Sequence, residues 1–232
     1  MTFGECITAL AYLVGAAVFY LAARERGLSS QGMGKIAAIG LFFGILGAKV
    51  TQLISDGGSW NALFTPSTGG RALLGGLVFG WLAVEVAKFR MGIRSSTGPM
   101  FALALPAGEA VGRIGCYLNG CCFGSKWSGP WSVFQHDALR HPAQLYSAVY
   151  SLILFCVLIA LRNRLRDEKN MFRLYLLGWA VGRLALEFVR DGRRQWLGLS
   201  FMQLFAIEIA MLAAIGIGLS YFRQPNRNME TL

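Results

Sequence analysis

The sequence predicts an all-α integral membrane protein, a seven-transmembrane-helix bundle with its N-terminus outside and its C-terminus cytoplasmic. Three observations predict it. Seven apolar stretches fill most of the 232 residues, each close to the ~20 residues that a bilayer needs. The chain is 55% hydrophobic with a mean hydropathy of +0.49, and only 15% of it is charged, against about 25% in a soluble domain. Basic residues gather in alternate connections, as an orientation signal does. Residues 1–232 therefore read as a single polytopic membrane domain, and a chain of soluble modules is excluded.

The predicted spans are 3–23, 35–54, 72–90, 99–118, 144–161, 171–189 and 199–222. Arg24, Arg26 and Lys35 follow the first span, and Lys88, Arg90 and Arg94 end the third. Arg162, Arg164, Arg166, Lys169 and Arg173 crowd the end of the fifth, and Arg223 and Arg227 lie in the tail. Those sides are cytoplasmic by the positive-inside rule. The N-terminus has no basic n-region, and its first apolar stretch is too long for a signal peptide's h-region, so no cleaved leader is expected. The net charge of +10 sits mostly in these connections. The anionic partner it suggests is lipid at a membrane, not nucleic acid.

The outer connections are then 55–71, 119–143 and 190–198. Arg113, Lys126, Arg140, Arg190, Arg193 and Arg194 break the rule on that side. Two readings stand for such exceptions, tolerated surface charge or anion binding. Gly40, Gly44 and Gly47 mark one face of the second span, and Gly108, Gly112 and Gly115 one face of the fourth. Small residues at that spacing let helices approach closely. Trp127 and Trp131 place 123–143 along the outer interface rather than out in water.

Four segments carry candidate chemistry. Gly112-Arg113 leads into Asn119-Gly120-Cys121-Cys122-Phe123-Gly124, an arginine followed by a glycine-broken turn. A guanidinium fork with free backbone N–H groups suits phosphate. Arg183, Glu187 and Arg190 recur at i, i+4 and i+7, hence on one helix face. There Glu187 can pair with either arginine and leave the other poised for a ligand, or the three can be an ion-pair network that only orders the bundle. His141-Pro142 opens the fifth span ahead of Gln144 and Tyr146, with His141 a capping residue or a donor to ligand. Gly69-Gly70-Arg71 and Gly75-Gly76 mark the third span's entry, where backbone can approach a ligand. A charge inside a bilayer costs about 2.5–3.5 kcal/mol on the mildest scale, so the cluster is a site hypothesis.

Together these segments resemble the prolipoprotein diacylglyceryl transferases of the bacterial inner membrane. The resemblance rests on Arg113 with Asn119-Gly120 and Gly124, on His141-Pro142 with Gln144-Leu145-Tyr146, and on Arg183 with Glu187-Phe188 and Arg190. Leu197-Gly198 with Ser200 and Gln203 extends it. It implies a seven-helix bundle open laterally to lipid and a phospholipid-dependent transferase. Arg113 and Arg183 would hold the phosphate of phosphatidylglycerol. Glycerol phosphate would leave, and a thiol acceptor, a prolipoprotein cysteine or a small thiol, would take the diacylglyceryl group. Asn119, Gly120, Gly124, Gln144, Tyr146, Glu187, Arg190, Gly75 and Gly76 would shape the substrate site. No metal and no cofactor enter that scheme.

The chain departs from the family at two places. The family's His-Gly-Gly reads Leu74-Gly75-Gly76 here, and its Asn-Phe-x-Asn-Gly-Glu reads Cys116-Tyr117-Leu118-Asn119-Gly120-Cys121. His141 becomes the candidate acid–base residue, and Cys121 joins the catalytic candidates. A thioether is a poor leaving group, so an enzyme cysteine alkylated by the family's reaction would be dead. A nucleophilic cysteine would need a labile intermediate, an acyl thioester or a phosphoryl thiolate. Three readings of Cys116, Cys121 and Cys122 stay open: packing replacements, a redox or metal pair, or catalysis. No second Cys/His cluster is visible to complete a tetrahedral zinc site. Cys6 and Cys156 read as small core residues. The rival functions are a lipid transferase with another acceptor and cysteine chemistry, and a non-catalytic lipid-binding or redox membrane protein.

Overall fold

The computed structural model describes residues 2–28, 32–56, 73–165, 167–190 and 198–222. The connections carrying Gly69, Gly70 and Arg71, and Arg193, Arg194 and Leu197, lie outside the described residues, as do Arg166 and the tail with Arg223 and Arg227. The described residues form seven helices: α1 Phe3–Glu25, α2 Met33–Asp56, α3 Leu73–Arg90, α4 Gly98–Leu118, α5 Ala143–Leu161, α6 Lys169–Glu187 and α7 Phe201–Phe222. Each overlaps a predicted span. Four are long and apolar enough to cross a bilayer: α1, Met33–Thr51 of α2, α5 and Met202–Phe222 of α7. The other three carry charge, with Glu85, Lys88 and Arg90 in α3, Glu109 and Arg113 in α4, and Lys169, Arg173, Arg183 and Glu187 in α6.

The all-α expectation missed a hairpin. Strands β1 (Val133–Gln135) and β2 (Ala138–Arg140) pair antiparallel between α4 and α5. His136 and Asp137 join them at φ 49° and 57°, the two left-handed residues that a tight hairpin turn requires.

The chain divides into two compact units. One, Phe19–Ser95, holds the end of α1 with α2 and α3. Here glycines set the helix spacing. A methyl group on Gly76 would stand 3.0 Å from the Gly44 carbonyl, and one on Gly80 3.1 Å from the Gly40 carbonyl. At Gly75 the space is filled by the Gly47 carbonyl and the Thr51 side chain. The freedom predicted for Gly75 and Gly76 is therefore spent on backbone contact with α2.

The other unit, Met1–Val18 with Ser96–Leu232, holds the start of α1, helices α4–α7 and the hairpin. Gly108 packs 3.1 Å from the Ala11 carbonyl, and Gly115 3.0 Å from the Gly4 carbonyl, each measured from an added Cβ. The fourth span's small-residue face is thus its contact with α1. The exposed helical faces are apolar: Leu13, Phe42, Phe89, Leu212 and Phe222 are all more than 60% exposed. Cys6 and Cys156 also lie on exposed faces, not in the core. In lipid an outward face buries nothing polar, so small apolar residues collect there as readily as inside.

Candidate functional site

Helices α4, α5 and α6 enclose a small pocket lined by Glu109 and Arg113, Ser147, Tyr150 and Ser151, and Trp179, Gly182 and Arg183. Its cavity volume of ≈ 20 Å³ has room for about one water molecule, so a headgroup enters only if the helices part. Spacing explains its charges. Glu109 and Arg113 sit one helical turn apart on α4, with Arg113 Nε and Nη2 donating to Glu109 Oε1 at 3.2 and 2.9 Å. Arg183 and Glu187 sit one turn apart on α6, with Arg183 Nη2 2.9 Å from Glu187 Oε2. The side chains of this second pair are 11% and 9% exposed. Oε2 takes the guanidinium's charge without a formed hydrogen bond. Oε1 accepts from Ser200 Oγ at 3.0 Å.

Of the predicted site residues, the structure brings Arg113 and Arg183 into one pocket, with Glu187 paired to Arg183. Glu109, which sequence alone leaves open between site member and helix-pairing charge, lines the same pocket, and its i, i+4 spacing to Arg113 is the signal for such a pair. Gly182 leaves room for the Tyr150 ring, whose hydroxyl donates to the Gly178 carbonyl at 2.5 Å. That bond fixes Tyr150 in the pocket wall.

The turn after α4 has its own logic. Gly120 takes φ +65° and donates to the Tyr117 carbonyl, while Cys121 N–H donates to the Cys116 carbonyl at 3.1 Å. This paired pattern is the Schellman helix end, and it sets the residue after the glycine against the one five positions earlier. Cys121 therefore meets Cys116. Cys122, at φ 60°, turns the third thiol back toward them. The three sulfurs all lie within 4.8 Å of one another, and each residue is partly buried. Hydrogen bonds from Cys116 and Cys121, with the Arg190 and Arg113 charges behind them, push the Cys122 thiol well below the ordinary thiol range. Bonding to its two neighbours and burial push Cys121 the other way.

The hairpin seals this turn. His136 Nε2 stands 2.7 Å from the Gly120 carbonyl, which only accepts, so that nitrogen carries the proton. Gln135 Nε2 donates to the Tyr117 carbonyl at 3.4 Å. Gln144, 1% exposed, donates to the Cys121 carbonyl at 2.8 Å, and its own Oε1 is buried with no hydrogen-bond partner. Asn119 caps α4 and accepts from Thr2 Oγ1 at 3.0 Å.

Arg140 is a structural residue rather than tolerated surface charge. It is 7% exposed and donates to the Gln135 and Gly124 carbonyls at 3.0 and 3.1 Å. Its guanidinium lies 4.5 Å over the Phe123 ring. Gly124 is buried between segments, pairing as a bridge with Arg190 and donating to the His141 carbonyl at 3.2 Å. A side chain there would collide with that carbonyl. His141 stacks on Trp127 at 4.3 Å rather than lining the pocket. Trp131 Nε1 donates to the Tyr146 hydroxyl at 2.6 Å. That hydroxyl in turn lies 3.3 Å from His141 Nδ1 and has its proton to give.

Four helices apolar enough for a bilayer among the described residues, with a pocket of half-buried ion pairs, make this a multi-pass membrane protein. Comparison with known proteins narrows that class. The family model described as prolipoprotein diacylglyceryl transferase matches residues 2–219. The chain belongs to this family and is a transferase of its type. It is 27% identical over 207 residues to the phosphatidylglycerol–prolipoprotein diacylglyceryl transferase of Clostridium tetani, covering 81% of this chain and 82% of that one. The protein of the same description from Clostridioides difficile is 24% identical over 229 residues, covering 96% and 91%. That from Methylococcus capsulatus is 31% identical over 172 residues, covering 70% and 66%.

Proposed function

We propose that the protein moves a diacylglyceryl group from phosphatidylglycerol to the thiol of a prolipoprotein cysteine. It does so from the outer half of a bacterial cytoplasmic membrane, crossed seven times with the N-terminus outside. The observation that carries this reading is the convergence of Arg113 and Arg183, from α4 and α6, on one pocket, within a chain matched by the family model almost end to end.

Each guanidinium is already paired with a carboxylate on its own helix. A lipid phosphate entering between them displaces carboxylate contacts rather than water. Two guanidiniums then share the charge that builds on the leaving phosphate as the glycerol C–O bond breaks. Such donors act best where the charge develops. Ser147, Ser151 and Tyr150 line the same pocket and offer hydroxyls to the glycerol headgroup. Asn119, Gly120, Gly124 and Gln144 shape the neighbouring turn, and Gln144 Oε1 is a ready acceptor for a headgroup hydroxyl. Arg190 adds positive charge near Cys122.

Purified protein is incubated with phosphatidylglycerol and a lipobox peptide carrying one cysteine, and the peptide is weighed by mass spectrometry. The expected result is a gain of one diacylglyceryl group with release of glycerol phosphate. A peptide of unchanged mass, with an active relative as positive control, would refute the reading.

A further inference from the structure

We propose that Cys116, Cys121 and Cys122 form a three-thiolate Zn²⁺ site whose fourth position receives the acceptor thiol. This deepens the transferase reading above and rests on it. The geometry comes from the backbone. The helix end forces Cys121 against Cys116, and the left-handed Cys122 closes the triangle. Sulfurs no more than 4.8 Å apart stand close to the ~3.8 Å separation that tetrahedral bonds of about 2.3 Å impose. Side-chain rotation alone closes a gap of that size. All three cysteines are partly exposed, as a site that admits a fourth ligand from outside requires. Three protein ligands with an open fourth position is the pattern of catalytic zinc, whereas structural zinc is closed by four.

The chemistry calls for such a site. Attack on a saturated carbon needs a thiolate, and a free thiol at neutral pH is mostly protonated. The pocket carboxylates Glu109 and Glu187 are each committed to an arginine. His136 is committed to the Gly120 carbonyl, and His141 lies flat on Trp127. A thiol that binds zinc loses its proton outright. Here the acceptor S–H proton passes to solvent as the sulfur displaces zinc-bound water. A sulfur electron pair then forms the S–C bond while the C–O bond breaks, and the C–O bonding pair leaves on the phosphate oxygen of glycerol phosphate. The thioether is a weak zinc ligand and gives way to water. Three thiolates, zinc and the bound acceptor carry net negative charge, which Arg190 partly offsets.

The test uses the full chain in detergent. Zinc is measured by mass spectrometry of the metal, then stripped with a chelator and replaced by Co²⁺. The expected results are one zinc per chain, lost on replacing Cys116, Cys121 or Cys122 with Ser, and transfer that stops on stripping and returns with zinc. Thiolate-to-cobalt absorption should grow by about a third with a cysteine lipobox peptide, as three thiolates become four, and stay unchanged with its serine analogue. Substoichiometric zinc, retention of Cu⁺ instead, or a cobalt spectrum blind to the peptide would overturn the site. Full-rate transfer by stripped protein overturns it too, while leaving the transferase reading standing. If zinc-loaded protein transfers nothing, the transferase reading fails. The stoichiometry and the cobalt spectrum then still decide the metal site.

Discussion

Arg183 permits a decisive separation of two roles, balancing a buried carboxylate and holding a phosphate. In Arg183→Ala, Glu187 keeps one hydrogen bond, from Ser200. Its other oxygen loses the guanidinium 2.9 Å away, in a setting where both side chains are about one-tenth exposed. Removing one member of such a pair costs about 3–5 kcal/mol of stability. Arg183→Ala/Glu187→Gln removes the stranded charge, so most of that loss should return as thermal stability. Activity should not. A guanidinium makes hydrogen bonds of about 1.5–3 kcal/mol each to a charged group, and two to a phosphate amount to roughly 3–6 kcal/mol. At 1.36 kcal/mol per decade this is a loss of about 10²–10⁴ in kcat/KM. The assay is diacylglyceryl transfer to a lipobox peptide across phosphatidylglycerol concentrations, beside thermal unfolding of each variant. A double variant that regains wild-type turnover along with its stability would refute a phosphate-holding role and leave a structural ion pair.

Three further outcomes follow from the geometry. Arg140→Lys should behave nearly as poorly as Arg140→Met, because one ammonium cannot reach both the Gln135 and Gly124 carbonyls in a planar fork; limited proteolysis should then open 124–140. Gln144→Leu strands the Cys121 carbonyl and should cost about 1–3 kcal/mol, read as a lowered Tm. Gly115→Leu should be far worse than Val157→Leu, since a side chain at 115 meets Thr8 and the Gly4 carbonyl while Val157 is exposed; yield of folded protein on gel filtration tests this.

The helices were legible because apolar length is a strong signal. The run 3–23 became Phe3–Glu25, and 35–54 became Met33–Asp56. The hairpin was not, because each strand has three residues and His136-Asp137 lacks the Asn-Gly or Asp-Gly signature of its turn. Arg113 and Arg183 were legible because hydrocarbon makes charge expensive, but their partners were only half so. Glu187 had two arginines in reach on its helix, and only coordinates choose Arg183. Arg140 was opaque for a different reason. Its acceptors are backbone carbonyls 5 and 16 positions away in sequence, and no side-chain pattern announces a carbonyl. The cysteines read as a vicinal pair with Cys116 in the same motif, their shared role left open among packing, a redox or metal pair, and catalysis. Their convergence depends on Gly120 and on Cys122 both adopting positive φ, which spacing alone does not reveal.

The ion pairs also explain how a pocket proposed to receive an anion persists in the membrane between turnovers. Two unpaired guanidiniums at that depth would repel each other and face hydrocarbon, at several kcal/mol apiece. Glu109 and Glu187 neutralise them one for one, each from its own helix. The resting pocket is therefore uncharged overall and small. A phospholipid diester adds one negative charge, so the filled pocket is a single charge negative until a carboxylate swings away. This links donor entry to movement of Glu109 or Glu187, and it ranks their amide variants. Glu109→Gln and Glu187→Gln should each lower KM for phosphatidylglycerol, because the competing carboxylate is gone. They should also release product more slowly, because nothing displaces the charged glycerol phosphate. A raised KM in both variants would show instead that the carboxylates position the arginines for the donor rather than compete with it.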